Sequence, residues 1–565
     1  MINPNLRKLQ DRAALLSEDQ FEFECLQFFK DLEWEYAYAK EEQESDSFLG
    51  RKSFEEVVLE QYLLPSLQKL NPSLSESNLQ SVIKKLLENK TNVEGMVQAN
   101  RSIYRLIKDG VKITYNEKGK QKTKMVKVID FEQPENNHFL AVGEFNIRGN
   151  LGRKRPDIVG FVNGLPLIVV ELKAIDQKIK KAYDNNLKDY KTTIPYLFQY
   201  NACLMVSNGD QAQVGSVTSG WEHFNMWKKI NTQKEKANPV PETLFKGICD
   251  KKRFIDILEN FILFTLDEKH NLIKIFPKNH QFLGVNAAIK SFKNRKENQG
   301  KLGVFWHTQG AGKSISMVFF SEKILRKIPG KWKFVVVTDR DELDKQIYEN
   351  YLNPSLIKKV AVRAKSIANL RKLLSENNRY VFTLIHKFQQ SEKELMHPVL
   401  IEQDDVIVMT DEAHRSQYAT LAMNMRSAMP NANFLAFTGT PLIDKDGNNE
   451  KTREVFGNYV STYNFAESVE DKATVPLYYE NRTPEVEIMN EKLDEDLSDL
   501  VDTFELGDAE EKTLNRRIAK QYHIITRDER LDNVAKDIVN HFIHRYQQGK
   551  AMIVSIDIPT CVIMY

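Results

Sequence analysis

The chain has 565 residues, too many for one hydrophobic core, so we expect two to four domains. Its formal net charge of +2 excludes a bulk polycation, and any nucleic-acid surface must therefore be local. Its four cysteines are scattered without metal-type spacing, and no apolar run matches a signal peptide or a membrane span. These features predict a soluble protein of the reducing cytoplasm that has no membrane partner.

The N-terminal part begins with helical patterns and then changes to strand patterns. Apolar residues recur at helical spacing in three segments, at about 17–36, 54–70 and 78–87. From Val111 the period falls to two, which predicts strands. Further on, two apolar runs flank Asn163-Gly164, and this arrangement predicts a β-hairpin.

The hairpin carries the residue pattern of a magnesium-dependent nuclease. Asp157 is followed fourteen residues later by Glu171, and Lys173 comes two residues after that. Two carboxylates can hold Mg²⁺, which activates water and stabilises the phosphoryl transition state, while a lysine can orient or deprotonate that water. The three side chains share one sheet face only if the connection has three residues, Asn163-Gly164-Leu165, or if the hairpin contains a bulge. We expect one of these two registers, although acids at strand ends also occur by chance.

Two polar segments flank this part of the chain, one directly before the hairpin and one well after it. The basic loop Arg148–Arg155 suits a phosphate backbone, and a solvated loop is the simpler alternative. The Lys-rich stretch from about Lys228 to Pro241 is typical of an exposed connection.

A strand, a Gly-containing loop and an amphipathic helix follow one another between Leu302 and Leu325. Loop N–H groups and the positive end of a helix bind phosphate, a lysine adds a cation, and a serine hydroxyl can hold Mg²⁺. His307 stands where the strict P-loop pattern has glycine. We expect a site for ATP and Mg²⁺ made by Thr308, Gly310, Ala311, Gly312, Lys313 and Ser314.

Downstream of this loop, near-continuous apolar strands alternate with helical segments, which predicts a parallel sheet covered by helices on both faces. Asp411 and Glu412 follow one of these strands, at the edge where such sheets bind ligands. There Asp411 can hold Mg²⁺, and Glu412 can orient and deprotonate the water that attacks the γ-phosphate. Thr438 and Thr440 end the next strand and can connect the nucleotide site with the surface that binds the polynucleotide. Gln281, upstream of the loop, can contact adenine through its amide.

The order of these elements resembles a known motor domain. The segments His307–Ser314, Asp411–His414 and Thr438–Pro441, with the region of Thr338, are similar to motifs I, II, III and Ia of the first RecA-like domain of superfamily 2 helicases and translocases. Preceded by a PD-(D/E)xK pattern, they resemble the restriction (HsdR, motor) subunit of type I restriction-modification enzymes. The resemblance covers nearly the whole chain and includes the loop Trp306–Ser314, with His307 as the family's own variant.

The resemblance implies three supporting residues in the nuclease site. Glu22 matches a glutamate of the family's opening helix. Asn186 and Tyr190 match a Gln-x-x-x-Tyr element, with asparagine in place of glutamine. The alternative for Asn186 and Tyr190 is ordinary helix surface and packing.

The resemblance also implies the fold class and domain order. We expect an α/β protein with a PD-(D/E)xK endonuclease domain (1–250), a first RecA-like ATPase domain (251–470), and a linker with the beginning of a second RecA-like domain (471–565). A buried strand is expected at 551–555. Family members continue beyond this point, so we expect the chain to be a fragment that binds ATP weakly and cannot translocate alone.

The function implied is that of an ATP-dependent DNA translocase and Mg²⁺-dependent endonuclease. It would act on double-stranded DNA with modification and specificity subunits and cleave unmodified DNA away from the recognition site. Two alternatives stay open: a self-standing helicase-nuclease of DNA repair or phage defence, and a DNA- or nucleotide-binding module without turnover.

Overall fold

A computed structural model of the chain describes residues 17–117, 119–339, 361–389, 398–411, 418–439, 450–482, 522, 525–544 and 549–565. The chain forms two compact units, Met1–Val475 and Pro476–Tyr565. The first unit spans both predicted domains 1–250 and 251–470, so the boundary between them stays a prediction. Within the described residues, none of the helices combines the length and hydrophobicity that a membrane span requires.

A mixed seven-stranded sheet is the centre of the N-terminal part, with strand order β1-β4-β7-β8-β9-β10-β11. The helices are α1 (Glu18–Asp31), α2 (Glu60–Leu70), α3 (Glu76–Leu87), α4 (Thr91–Glu94), α5 (Met96–Asp109) and α6 (Lys188–Thr193). The strands are β1 (Glu35–Tyr38), β2 (Val111–Glu117), β3 (Lys120–Val126), β4 (Phe139–Gly143), β5 (Ile147–Gly149), β6 (Gly152–Lys154), β7 (Ile158–Val162), β8 (Leu165–Leu172), β9 (Cys203–Ser207), β10 (Ala212–Gly215) and β11 (Asn225–Met226). Every residue of β7 and β8 is buried, which explains why both strands are apolar except for Glu171 near the end of β8.

The turn between β7 and β8 has two residues because Asn163 and Gly164 both adopt positive φ, at 51° and 78°. The buried Asn163 amide donates to Val128 O at 2.9 Å and accepts from His138 N at 2.8 Å. A Cβ on Gly164 would lie 2.3 Å from Leu59 O, so only glycine fits there. Local sequence and tertiary packing therefore select the same turn.

The hairpin register changes within the strands. Phe161 pairs with Pro166, but Gly160 pairs with Ile168, which leaves Leu167 as an extra residue. Pro166 has no N–H to give to the ladder, and a bulge beside it accommodates that loss. Of the two expected registers, the bulge is therefore the correct one, and the three-residue connection is wrong.

A second seven-stranded sheet lies in the later part of the first unit, and all its pairings are parallel. The preceding elements are α7 (Pro241–Cys249), α8 (Lys251–Asn260), β12 (Leu263–Leu266) and β13 (Leu272–Ile275). The elements of this part are α9 (Asn279–Lys293), β14 (Lys301–His307), α10 (Lys313–Lys327), β15 (Lys333–Thr338), β16 (Ala361–Arg363), α11 (Ile367–Ser375), β17 (Tyr380–Leu384), β18 (Val406–Asp411), α12 (Tyr418–Ala428), β19 (Asn433–Thr438), α13 (Glu450–Phe456), β20 (Tyr459–Tyr463) and α14 (Phe465–Glu470). The strand order is β16-β17-β15-β18-β19-β14-β20, which confirms the predicted parallel sheet.

In the second unit the described helices are α15 (Asp528–Ile543) and α16 (Ile558–Met564). Arg482 forms an ion pair with Asp537 at 2.7 Å. The expected buried strand at 551–555 is wrong, since this segment forms no strand and Met552 and Val554 are 87% and 79% exposed. An apolar run is buried only where a partner surface covers it, and the run alone does not identify that surface.

Candidate nuclease and nucleotide sites

The bulged register brings the nuclease residues to one sheet face. Ile158 pairs with Val170, so the preceding Asp157 lies opposite Glu171 at the end of the hairpin. The Asp157 carboxylate accepts a hydrogen bond from Leu172 N at 2.5 Å. Lys173 Nζ donates to Glu171 Oε1 at 3.3 Å and to Leu172 O at 2.6 Å. Asp157, Glu171 and Lys173 thus form one polar cluster at the strand ends.

Burial of these acids shifts their pKa values. Burial raises the pKa of Asp157 from 3.8 to about 7, although its hydrogen bond from Leu172 and the charge of Lys173 act in the opposite direction. Burial and the charge of Asp157 raise the pKa of Glu171 well above its usual value, and Lys173 and the Tyr190 hydroxyl only partly offset this. For Lys173, burial lowers the pKa, but Glu171, Asp157 and Glu18 outweigh that effect and raise it overall. Lys173 is therefore an ammonium ion in this structure.

The donor set of the cluster fits a magnesium ion. Glu171 is fully buried, and its Oε2 has no hydrogen-bond partner, so a costly unsatisfied acceptor is left within the cluster. Among the described residues, no group of three or more His, Cys, Asp or Glu side chains is arranged to hold a metal ion. Two carboxylates suffice for Mg²⁺, which usually keeps several waters and binds one or two carboxylates together with substrate phosphates.

Helix α1 adds two glutamates to this region. Glu22 is buried, and burial together with the charges of Glu144 and Asp157 raises its pKa to about 8. Glu18, one turn earlier, accepts a hydrogen bond from Lys173 Nζ at 3.2 Å. The sequence predicted a role for Glu22 but gave no sign of Glu18 or Glu144. Helical spacing from Glu22 would have identified Glu18, whereas Glu144 is brought close only by the fold.

Tyr190 and Asn186 lie behind the cluster. Residues 182–187 form a π-helical turn that leads into α6. Tyr190 is buried, and its hydroxyl donates to Arg155 O at 3.4 Å. Asn186 Nδ2 donates to the Tyr190 hydroxyl at 3.5 Å, so the shorter amide still reaches its neighbour. Tyr190 therefore lies close to Glu171, Asn186 contacts Tyr190, and the supporting role of both residues stays a prediction.

The nucleotide loop has a backbone conformation that requires glycine at two positions. Gly310 and Gly312 have φ values of 79° and 83°, in the left-handed region that glycine favours. Helix α10 begins directly afterwards at Lys313, so its N-terminal N–H groups face the loop. Lys313 Nζ donates to His307 O at 3.3 Å across the loop. The half-buried Thr308 and Ser314 flank this cradle.

Residues of α9 hold the loop from behind. Gln281 Nε2 donates to Gly312 O at 3.0 Å, while its Oε1 accepts from Lys278 N at 2.9 Å. His280 Nε2 lies 2.9 Å from Ala311 O, and because a carbonyl only accepts, this nitrogen carries the hydrogen. The Gln281 amide is thus engaged with the loop backbone, and its expected contact with adenine stays a prediction.

His307 faces away from the phosphate cradle. It is fully buried, and burial lowers the pKa of its imidazole well below the usual value. Its Nε2 is hydrogen-bonded to Ser461 Oγ on β20. Gln233 Nε2 donates to the same hydroxyl at 2.6 Å and to His280 O at 3.1 Å, while its Oε1 accepts from Thr462 N at 2.7 Å. The segment predicted as an exposed connection therefore docks on the ATPase sheet at Gln233.

The acidic motif lies at the expected edge. Asp411 ends β18 and is buried, and Thr438 ends β19 next to it. Thr438 pairs in turn with the adjacent β14 at Trp306. Glu412 and Thr440 lie outside the described residues, so their roles stay predictions. Topology alone places Asp411 and the phosphate loop on the same edge of the sheet.

Comparisons with known proteins match both parts of the chain. Residues 15–223 match the family model for the N terminus of the type I restriction enzyme R protein, and residues 280–512 match the SWI2/SNF2 ATPase model. The HindI type I restriction enzyme endonuclease subunit of Haemophilus influenzae is 36% identical over 583 residues, which cover 98% of this chain and 54% of that protein. Residues 15–223 therefore belong to the HsdR N-terminal family, and residues 280–512 belong to the SWI2/SNF2 ATPase family.

Other relatives support the same assignment. The MjaIXP endonuclease subunit of Methanocaldococcus jannaschii is 33% identical, over 99% of this chain and 55% of that protein. The chain therefore spans about half the length of the curated relatives it matches. The solved UvsW helicase of bacteriophage T4 is 15% identical, with a TM-score of 0.27 over 37% of this chain and 66% of that chain, which is too distant to bear on the sites.

The basic loop Arg148–Arg155 is largely neutralised by acids. Arg148 forms an ion pair with Glu44 at 3.0 Å, Lys154 pairs with Asp189 at 2.5 Å, and Arg155 pairs with Glu144. These contacts fix the loop next to the nuclease cluster. They also reduce the positive charge that the sequence suggested for binding phosphate.

Proposed function

We propose that the chain supplies the nuclease and the ATP-dependent motor of a type I restriction enzyme. It would cleave unmodified duplex DNA away from the recognition site, together with modification and specificity subunits. The observation that carries the nuclease half is the bulge at Leu167, because it sets Asp157 opposite Glu171, with Lys173 Nζ 3.3 Å from Glu171 Oε1. A hairpin without that bulge would send the two acids to opposite faces.

In the nuclease site, Asp157 and Glu171 would hold Mg²⁺. A bound Mg²⁺ supplies Lewis-acid stabilisation of the phosphate and lowers the pKa of water. Lys173 is already charged, so it orients the attacking water and stabilises negative charge on phosphate oxygens instead of removing a proton. Glu18 and Glu171 fix its ammonium group. Glu22, Asn186 and Tyr190 keep the surrounding strand and helices in place.

In the motor site, ATP would lie on the loop between β14 and α10. The N–H groups of the loop and Lys313 would bind the phosphates, and Ser314 and Asp411 would hold the accompanying Mg²⁺. Glu412 would orient the water for hydrolysis, and Thr438 and Thr440 would connect the site with the DNA track. Gln281 and His280 keep the carbonyls of Gly312 and Ala311 turned away from the phosphates.

The nuclease proposal is tested by plasmid nicking with the purified chain in Mg²⁺, with wild type compared with Lys173→Ala. Loss of the ammonium should reduce nicking by about 10²-fold or more, by analogy with removal of one transition-state donor. Lys178→Ala is the matched control because Lys178 is exposed on the following segment. Equal nicking by wild type and Lys173→Ala would refute the assignment.

The motor proposal is tested separately by binding of a fluorescent ATP analogue. Lys313→Ala should weaken binding at least tenfold, while Lys290→Ala, at an exposed position of α9, should leave it unchanged. Binding that is insensitive to Lys313 would contradict the proposed nucleotide site.

A further inference from the structure

The hairpin β2–β3 is a separate two-stranded ribbon with an unusual concentration of positive charge. Between Val111 and Val126 the sequence has five lysines and one glutamate, a net charge of +4, whereas the whole chain carries +2. Val111, Ile113 and Val126 are buried at the base of the ribbon, which packs against α3. The base is therefore anchored in the core of the N-terminal part.

The outer half of the ribbon offers little apolar surface beyond the half-buried Tyr115, which packs against the core. Thr114, Asn116, Gln121 and Thr123 are exposed on one face. Lys120 and Lys122 are exposed on the other face, beside Glu117 and the half-buried Tyr115. A two-stranded ribbon that is polar on both faces contributes little to folding.

The charges of the ribbon are less compensated than those of the basic loop. Lys122 pairs with Glu117. Among the described residues, neither Lys112 nor Lys120 has a carboxylate partner, whereas Arg148, Lys154 and Arg155 of the basic loop each have one. A surface that binds a polyanion needs positive charges that nearby carboxylates do not neutralise.

We propose that the ribbon β2–β3 binds the phosphate backbone of duplex DNA. Alternate lysines on one strand stand about 6.6–6.8 Å apart on one face, so several can reach phosphates together. A two-stranded ribbon also fits the major groove of B-DNA, which is about 12 Å wide. The contact is independent of base sequence, since lysines bind phosphates as point charges. This inference rests on the proposed function, which supplies duplex DNA as the substrate.

The test measures duplex DNA binding by the full chain, with EDTA present to prevent cleavage, at 50 and 200 mM salt. The ribbon variant is Lys120→Gln with Lys122→Gln. Two lost phosphate contacts lower the slope of log K against log salt by about 1.8, so the variant should lose roughly tenfold less affinity than wild type between the two salt concentrations. Its affinity at 50 mM salt should also be weaker.

Two matched variants distinguish the ribbon from general charge. Lys290→Gln with Lys293→Gln removes the same charge from exposed positions of α9 and should behave as wild type. Lys120→Arg with Lys122→Arg should retain binding. A ribbon variant with the wild-type slope, or equal losses in the α9 variant, would overturn the inference. The inference would also be overturned if the ribbon variant lost binding to phosphatidylserine vesicles while its binding to duplex DNA stayed intact. If wild type itself binds no duplex DNA, the proposed function fails with the inference.

Discussion

Replacing Asp157 by asparagine should stabilise the metal-free protein at neutral pH. The substitution removes a charge from a cluster that contains Glu22 and Glu171, and the asparagine oxygen can still accept from Leu172 N. The pKa of Asp157 rises from 3.8 to about 7 in the folded chain, mainly because the carboxyl is buried. The protonated Asp157 carboxyl stabilises the folded chain relative to the ionised one. This contribution is fully present below about pH 4 and is lost progressively as the pH rises to about 7.

The pKa shift sets the size of the effect. One pKa unit corresponds to about 1.4 kcal/mol, so the full shift amounts to about 4 kcal/mol at pH 8. The Asp157 side chain is only half-buried, and screening by solvent reduces this to about 2 kcal/mol. The advantage of Asp157→Asn over wild type should therefore grow by about 1 kcal/mol between pH 5 and pH 8.

Hydrogen exchange of the β8 amides in EDTA measures this local stability directly, with variant and wild type compared at each pH. Asp176→Asn, at an exposed position beyond β8, is the matched control and should have no effect. Adding Mg²⁺ should slow exchange in wild type by neutralising the acids, and it should do so far less in Asp157→Asn. If the β8 amides of Asp157→Asn instead exchange faster than those of wild type at pH 8 in EDTA, the ionised Asp157 does not destabilise the metal-free protein and the prediction is wrong.

Two further predictions concern the nucleotide loop. Gly312→Ala forces a side chain onto a residue with φ of 83° and places its Cβ 2.5 Å from Gln281 Nε2, whereas Gly310→Ala meets only the backbone strain of about 1–2 kcal/mol. Titration with a fluorescent ATP analogue should show the larger loss of affinity for Gly312→Ala. Equal losses of affinity in the two variants would contradict the role of Gln281. Gln233→Leu leaves Thr462 N without its acceptor, which should lower the free energy of unfolding by about 1–3 kcal/mol and weaken binding of the analogue. The control is Lys234→Leu, at the exposed neighbouring position, which should alter neither the melting temperature nor the affinity. A Gln233→Leu protein with the same melting temperature and affinity as this control would refute the role of Gln233 in holding the loop.

The sequence was most informative where local chemistry determines structure. Asn163-Gly164 predicted the turn because positive φ favours these residues, and Gly310-Ala311-Gly312-Lys313 predicted the strand, loop and helix in that order. The bulge was one of two expected registers, and the sequence could not decide between them. The structure shows that Pro166 interrupts the ladder at that point.

Contacts between distant residues added details that composition did not show. Arg148–Arg155 suits a phosphate backbone by composition, but its partners include Glu44 and Asp189, which are far away in sequence. The segment after Lys228 is largely exposed, as its composition predicted, yet within it Gln233 bonds to the ATPase strand β20. Charge and polarity predict a preference for solvent, but they do not reveal which solvent-facing groups find a partner.

His307 shows how a departure from a motif can leave its chemistry intact. A side chain at this position would obstruct a phosphate only if it faced the cradle, and the His307 ring instead lies on the opposite side, bonded to Ser461. The same buried layer contains His280, stacked on Tyr463 with ring centroids 3.8 Å apart and with its pKa lowered by burial to about 3. Both rings are therefore neutral at physiological pH, and they fix the loop through hydrogen bonds without adding charge. The glycine of the strict pattern keeps space open, whereas this histidine fills space that no phosphate needs.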